Sequence, residues 1–98
     1  MPAVTRYQDA DVTHCTSMTR SGKSSDVFAE NKGVSRQGDN NTSHLLPPDI
    51  PPCDSHAAPI TTGSTTVFAN NKGIGRIGDG ITGCTSVAAG ASTVFAGP

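Results

Sequence analysis

The sequence predicts a small all-β domain of short β-hairpins arranged around a pseudo-threefold axis. One reason is an internal repeat, because residues 25–39 (SDVFAENKGVSRQGD) and 65–79 (TTVFANNKGIGRIGD) agree at nine of fifteen positions. Another reason is the small apolar content: Leu, Ile, Val and Phe together make up 17 of the 98 residues, with a net charge of −1. A neutral chain with so thin a core needs a staple such as a metal, a disulfide or an oligomeric partner.

Each copy of the repeat predicts one hairpin. A β-prone Val-Phe-Ala run is followed by an Asn-Lys-Gly turn cluster and then by a second short run, residues 34–37 or 74–77. We expect Gly33 and Gly73 to supply the positive φ that the turn requires. Helix content should be low, because no stretch longer than about ten residues has a 3.6-residue period.

The triplicated Val-Phe-Ala run also predicts the core. We expect Phe28, Phe68 and Phe95 to provide its main apolar mass. An exposed docking face made from some of these residues is the alternative.

The two termini predict a third copy of the unit. Residues 5–14 (TRYQDADVTH) match only its second half, and residues 90–98 (GASTVFAGP) match only its first half. Two whole units and two complementary halves make three. We therefore expect one domain, residues 1–98, whose first unit is assembled from both ends of the chain.

One position of the repeat carries a soft metal ligand. An aspartate and four spacers precede His14, His44 and Cys84 in turn, and threefold symmetry would bring these three together. A fourth ligand is expected from His56, in a segment with five prolines (residues 45–59) that should be an ordered loop, neither helix nor central strand. Three imidazoles and one thiolate form a closed tetrahedral site typical of structural Zn²⁺, with iron as the alternative metal.

The two remaining cysteines lie close in sequence to predicted ligands. The cysteine count is three, so a complete disulfide framework is impossible. We expect Cys15 and Cys53 to be partly buried thiols, with a bond between them as the alternative. Because Cys15 follows His14 directly and Cys53 lies three residues before His56, the choice of sulfur ligand also stays open.

A repeated Arg-x-x-Asp motif predicts a capped turn. An aspartate in this setting typically accepts hydrogen bonds from nearby backbone amides, which we favour over support of the zinc histidines and over general-base catalysis. The arginines either pair with these aspartates or line the outer face. The motif residues are Arg6 and Asp9, Arg36 and Asp39, Arg76 and Asp79.

Composition and motifs argue against several functions. Seven Lys and Arg against eight Asp and Glu leave no basic excess for nucleic acid, and Cys-x-x-Cys knuckles of a zinc ribbon are absent. KGIGRIG (72–78) lacks the Lys-Ser/Thr end of a P-loop. No segment resembles a signal peptide or a membrane span, so we expect synthesis in the cytoplasm.

The whole pattern resembles the PAAR-repeat family, the tip proteins that cap the central spike of type VI secretion systems and contractile phage tails. The resemblance rests on GSTTVFANNKGxxRxGD (63–79), its copy at 25–39, DADVTH (9–14), PPCDSHAAPI (51–60) and GDGITGC (78–84). The Pro-Ala-Ala-Arg stretch that names the family reads Gly-Val-Ser-Arg (33–36) and Gly-Ile-Gly-Arg (73–76) here, so only the arginine is kept.

The resemblance implies a cone-shaped, pseudo-threefold β domain with one zinc near its apex. Transferred position by position, the ligands are His14, His44, His56 and Cys84. The implied function is mechanical and not enzymatic: a tip that docks on a homotrimeric β-helical spike, one chain per trimer, and crosses a target envelope. We expect it on a virion tail, or translocated by type VI secretion, with no nucleic-acid or small-molecule substrate. The rival hypothesis is a small zinc-dependent hydrolase with water in place of Cys84.

Overall fold

The described part of the chain is built from short strands. The computed structural model describes residues 1–13, 17–46, 54–81 and 84–98, and for residues 44–46 and 54–56 it describes the backbone alone. Over these residues the eight strands pair as four antiparallel hairpins and there is no helix, so the all-β prediction is confirmed. The strands are β1 (Phe28–Ala29), β2 (Lys32–Gly33), β3 (His44–Leu46), β4 (Asp54–His56), β5 (Phe68–Ala69), β6 (Lys72–Gly73), β7 (Gly80–Ile81) and β8 (Thr85–Ser86).

Isolated bridges join equivalent residues of the three units into a closed ring. Each unit contributes an arginine that pairs with an aliphatic residue of the next unit, and the third unit pairs back to the first. The bridges are Arg6–Val34, Arg36–Ile74 and Arg76–Val4. The predicted threefold relation of the repeats is therefore present in the backbone pairing.

A ring of backbone hydrogen bonds lies between these bridges. The amide of Thr5 donates to the carbonyl of Gly75 (3.0 Å), Gly75 donates to Ser35 (2.8 Å), and Ser35 donates back to Thr5 (3.0 Å). These three residues occupy one position of the repeat. The carbonyl of each residue accepts from the amide of another residue of the ring. These three residues therefore leave no open strand edge where the ring closes.

The first unit is assembled from the two termini, as the sequence predicts. Ala3 bridges to Phe95, in the same way that β1 pairs with β2 and β5 with β6. The amide of Val4 donates to the carbonyl of Val94 at 2.9 Å, and the amide of Ala96 donates to Pro2 at 3.1 Å. Both ends of the chain are thereby held in the fold.

The prediction that the phenylalanines form the core is wrong. Phe28, Phe68 and Phe95 are 59%, 57% and 49% exposed. Neighbouring residues of a strand face opposite sides, so Phe and Ala of each Val-Phe-Ala run cannot both point inward. The buried side chains of the ring are instead the small or branched ones: Val4, Ala29, Val34, Ala69, Ile74, Ala91 and Ala96.

The hairpin turns differ from the prediction in their backbone. Positive φ belongs to Glu30 (53°) and Asn31 (69°), and to their counterparts in the second copy, Asn70 (54°) and Asn71 (67°). Two consecutive positive φ values are those of a type I′ turn, which matches the twist of the flanking strands. The expectation that Gly33 and Gly73 supply the positive φ is therefore wrong.

Close backbone approach explains these two glycines instead. A Cβ added to Gly33 would lie 2.4 Å from the carbonyl oxygen of Ser24, and one added to Gly73 would lie 2.4 Å from that of Ser64. We expect Gly33→Ala and Gly73→Ala each to destabilise the fold by about 1–3 kcal/mol, because a backbone atom must move. Chemical denaturation measures this. Gly80→Ala, whose Cβ would meet nothing nearer than 3.7 Å, is the matched control and should change stability little; equal losses in all three variants would refute the explanation.

The proline-rich segment is partly a hairpin. Its two ends form β3 and β4, which pair antiparallel, so the expectation of a loop is wrong at 45–46 and 54–56. These strands make a two-stranded sheet, so neither is a central strand, and the described residues of the segment contain no helix. The pairing is possible because the prolines at 47–52 fall between the two strands and remove no donor from the ladder. Residues 47–53 lie outside the described part of the chain. None of the described residues forms a helix long and apolar enough to cross a membrane.

Candidate metal centre

The described backbone brings two of the four predicted ligand positions together. His44 and His56 are direct partners in the β3–β4 register. Their side chains, and the whole of His14, lie outside what the structure describes. The convergence of all four positions therefore stays a prediction.

Cys84 is the one predicted ligand whose side chain is described. It follows β7, and its amide donates to the carbonyl of Ile81 at 2.9 Å, which closes the turn into β8. Its partly buried side chain packs against a second apolar cluster, made of Ala58, Ile60, Ile81 and Val87. Ala58 lies two residues after His56, so Cys84 is held close to the end of the β3–β4 hairpin.

The environment of the Cys84 sulfur has opposing effects on its pKa. Burial raises the pKa of this thiol, and the charge of Asp11 acts in the same direction. A hydrogen bond donated by the amide of Asn41, with Nδ2 3.8 Å from Sγ, and the charge of Arg20 lower the pKa. The sulfur thus lies beside an apolar cluster and accepts a hydrogen bond from Asn41, with the charge of Arg20 acting on it.

A buried polar cluster adjoins this sulfur. Arg20 is fully buried, and its Nη1 lies 3.3 Å from Oδ2 of Asp11, while its Nη2 donates to the carbonyl of Asp39 at 3.0 Å. Asn41 donates through Nδ2 to Oδ2 of Asp11 at 3.1 Å, and its Oδ1 accepts from the amide of Ala58 at 2.9 Å. Burial lowers the pKa of Arg20. The cluster links three segments that are distant in sequence.

Removing one partner of this buried ion pair should be strongly destabilising. Arg20→Met removes the cation that faces the Asp11 carboxylate, and we expect a loss of about 3–5 kcal/mol in chemical denaturation. The double variant Asp11→Leu, Arg20→Met should recover much of this loss, because no buried charge remains. If the double variant were no more stable than Arg20→Met alone, the pair would not be the cause.

The Arg-x-x-Asp motifs form three nearly identical capped turns. In the first, Oδ2 of Asp9 accepts from the backbone amide of Arg6 and from its Nε, both at 2.8 Å, and Oδ1 accepts from Nη2 at 2.9 Å. The prediction that the aspartate caps the turn is therefore confirmed, and of the two alternatives for the arginine the structure shows the pairing with the aspartate. This hydrogen bonding raises the pKa of Arg6. The equivalent pairs are Arg36–Asp39 and Arg76–Asp79.

The same arginines also bind the neighbouring unit, at the residue that follows its Val-Phe-Ala run. Nη1 of Arg6 lies 2.8 Å from Oε1 of Glu30, and Nη1 of Arg36 donates to Oδ1 of Asn70 at 2.9 Å. In the third unit Nη1 of Arg76 donates to the carbonyl of Gly97 at 2.7 Å. The Nη1 of each arginine thus binds an oxygen at the same repeat position of the next unit, although the oxygen belongs in turn to a carboxylate, a side-chain amide and a backbone carbonyl.

The exposed phenylalanines are a second candidate site. Phe28, Phe68 and Phe95 occupy one position of the threefold repeat, and each is about half exposed. The neighbouring valines differ, since Val27 and Val94 pack against the core and Val67 is 38% exposed. The three rings therefore project from equivalent places on three sides of the chain.

The residues of the polar cluster were not predicted from the sequence. The signal lies in the repeat: Asp11, Asn41 and Ile81 share one position, three residues before His14, His44 and Cys84. Two polar residues at a position that is buried and apolar in the third unit indicate a polar interaction inside the fold.

The described residues include side-chain types that bind metals, but these side chains are not gathered into one group. Among them there is no group of three or more His, Cys, Asp or Glu side chains that could hold an ion. The ligand set contains one partly buried thiol and two histidines that the backbone pairs, which fits a closed site for zinc. Cys15 and Cys53 lie outside the described residues. No protein-family model matches the chain, and no curated protein matches it significantly.

Proposed function

We propose that this chain is the tip of a contractile injection machine, of a phage tail or a type VI secretion system. In this role it caps the end of a homotrimeric β-helical spike and is a mechanical part with no catalytic activity. The observation that carries the proposal is the ring of three equivalent units in one chain, with one exposed phenylalanine on each.

The threefold ring suits a trimeric partner. Three identical spike subunits present three identical chain ends around one axis, and a single chain with three like sides can contact all of them at once. A monomer of one-sided fold would leave two of the three ends exposed. Phe28, Phe68 and Phe95 supply apolar area for such contacts, since aromatic residues are enriched at interface hot spots.

A rigid body suits a mechanical tip. Arg6, Arg36 and Arg76 each join a capped turn to the neighbouring unit, so the three units are cross-linked by polar bonds. The principal extents are 40, 23 and 21 Å, with one long axis and two nearly equal short ones. An elongated body of these dimensions fits a tip that lies along a spike axis.

A structural zinc completes the proposed tip. We assign its ligands to His14, His44, His56 and Cys84, which would leave no coordination position for water. The support is the direct pairing of His44 with His56 and the partly buried Cys84 beside the segment that follows His56. Structural zinc contributes on the order of 10 kcal/mol of apparent binding free energy, which decides whether so small a domain folds.

Gel filtration with a spike fragment tests the proposal. The chain is mixed with the trimeric β-helical end of the spike protein from the same genome, and with the same fragment lacking its last strands as a control. We expect co-elution with the intact trimer and none with the shortened one. Separate elution from the intact trimer would contradict the assignment.

A further inference from the structure

We propose that Asn41 is the positioning residue of the metal site, and that its side chain holds the four ligand-bearing segments in register. The inference rests on the zinc site of the proposed function. It concerns residues that the sequence did not single out and that bind no metal themselves.

The side-chain contacts of Asn41 carry this inference. Its Nδ2 donates to Asp11, three residues before His14, and to the sulfur of Cys84. Its Oδ1 accepts from the amide of Ala58, two residues after His56. Asn41 itself lies three residues before His44, so one amide group joins all four segments.

The backbone around Asn41 strengthens the same connections. Its own amide donates to the carbonyl of Ala58 at 3.0 Å, so Asn41 and Ala58 bond in both directions. It also bridges to Arg20, whose guanidinium faces Asp11. Asn41 is 1% exposed. The amide is therefore fixed in one orientation, with its two donors and one acceptor assigned.

The hydrogen bond to sulfur gives Asn41 a role beyond packing. A donor directed at a ligating sulfur orients the ligand and tunes its bonding to the metal, and loss of such an outer partner typically lowers metal affinity about 10–100-fold. At the equivalent position of the third unit the chain has Ile81, which is also buried. An apolar residue therefore fits the fold at this position, so the asparagine is not required by packing alone.

A pair of variants separates positioning from stability. Asn41→Asp keeps the acceptor for Ala58 but replaces the donor to Asp11 and Cys84 by a carboxylate oxygen. The exchange Asp11→Asn, Asn41→Asp restores a donor–acceptor pair between positions 11 and 41 but still directs a carboxylate at the sulfur. Asn40→Asp, on the exposed neighbouring residue, is the matched control for the added charge.

The measurements are zinc affinity by chelator competition and the sulfur-to-cobalt charge-transfer band of the Co²⁺-loaded protein. We expect Asn41→Asp and the exchange variant to bind zinc about 10–100-fold more weakly with a shifted band, while Asn40→Asp matches wild type. The exchange variant should melt at a higher temperature than Asn41→Asp without recovering the band. Wild-type affinity and band in Asn41→Asp would overturn the inference and leave the zinc site standing, whereas a wild-type chain that binds no zinc would overturn both.

Discussion

Removal of the metal is expected to unfold the chain. Purified protein should contain about one zinc per chain, and a chelator should lower its melting temperature by at least about 20 °C. The metal contributes several kcal/mol, and each kcal/mol shifts the melting temperature of a domain of this size by about 4–8 °C. His44→Ala and Cys84→Ala should lose both metal and stability. Plasma mass spectrometry and a thermal melt measure the two quantities.

The remaining cysteines provide the control for this prediction. Cys15→Ser and Cys53→Ser should keep the metal and most of the stability, because neither residue is in the assigned ligand set. If Cys84→Ala kept its zinc while Cys15→Ser or Cys53→Ser lost it, the sulfur ligand would be misassigned. Zinc kept by all three variants would leave a coordination position for water and favour a hydrolase.

Replacement of the three exposed phenylalanines is expected to abolish spike binding while leaving the fold intact. We choose Phe→Thr, because threonine preserves β-propensity in β1 and β5. Each single variant should weaken binding by about 30-fold, which corresponds to a hot-spot loss of about 2 kcal/mol, and the triple variant should show none. Titration calorimetry with the trimeric spike end measures this.

Two comparisons make the phenylalanine prediction specific. Ile77→Thr removes a side chain that is 40% exposed but whose repeat counterparts are Tyr7 and Gln37, so it should bind normally. The three single Phe variants should be similar to one another, because the repeat places them equivalently. Strong loss from one and none from the other two would contradict a threefold contact.

The architecture was predictable because the repeat is recognisable in the sequence. Complementary half-units at the termini predicted that the two ends of the chain form one unit, and the bridge between Ala3 and Phe95 agrees with this. The Arg-x-x-Asp spacing predicted the capped turns. Such local chemistry depends only on residues close in sequence. Threefold closure then follows from counting the units.

The inside and outside of the strands were not predictable from composition. The Val-Phe-Ala runs are too short to show an alternation, and size alone favours phenylalanine as the core residue. The closed ring of three units has room inside for the small side chains of Ala29, Ala69 and Ala96, and the aromatic side chains of the phenylalanines lie on its outer surface. Likewise, the role of Gly33 depends on the carbonyl of Ser24, a contact that no turn rule contains.

The metal site was predictable as a set of residue types but not as an environment. Asn41, Asp11 and Arg20 meet only because three units close on one another, and no local pattern pairs Arg20 with Asp11. The repeat nevertheless contains a signal for Asp11 and Asn41, since Ile81 occupies their position in the third unit. A polar residue in two units and an apolar residue in the third, all at one repeat position, is the feature of the sequence that indicates this cluster.

Native mass spectrometry of the complex with the trimeric spike end tests the central claim most directly. A single mass reports the number of tip chains, the number of spike chains and the bound metal together. The account predicts one tip chain, three spike chains and one zinc. A complex with three tip chains per trimer, or with none, would contradict the threefold cap.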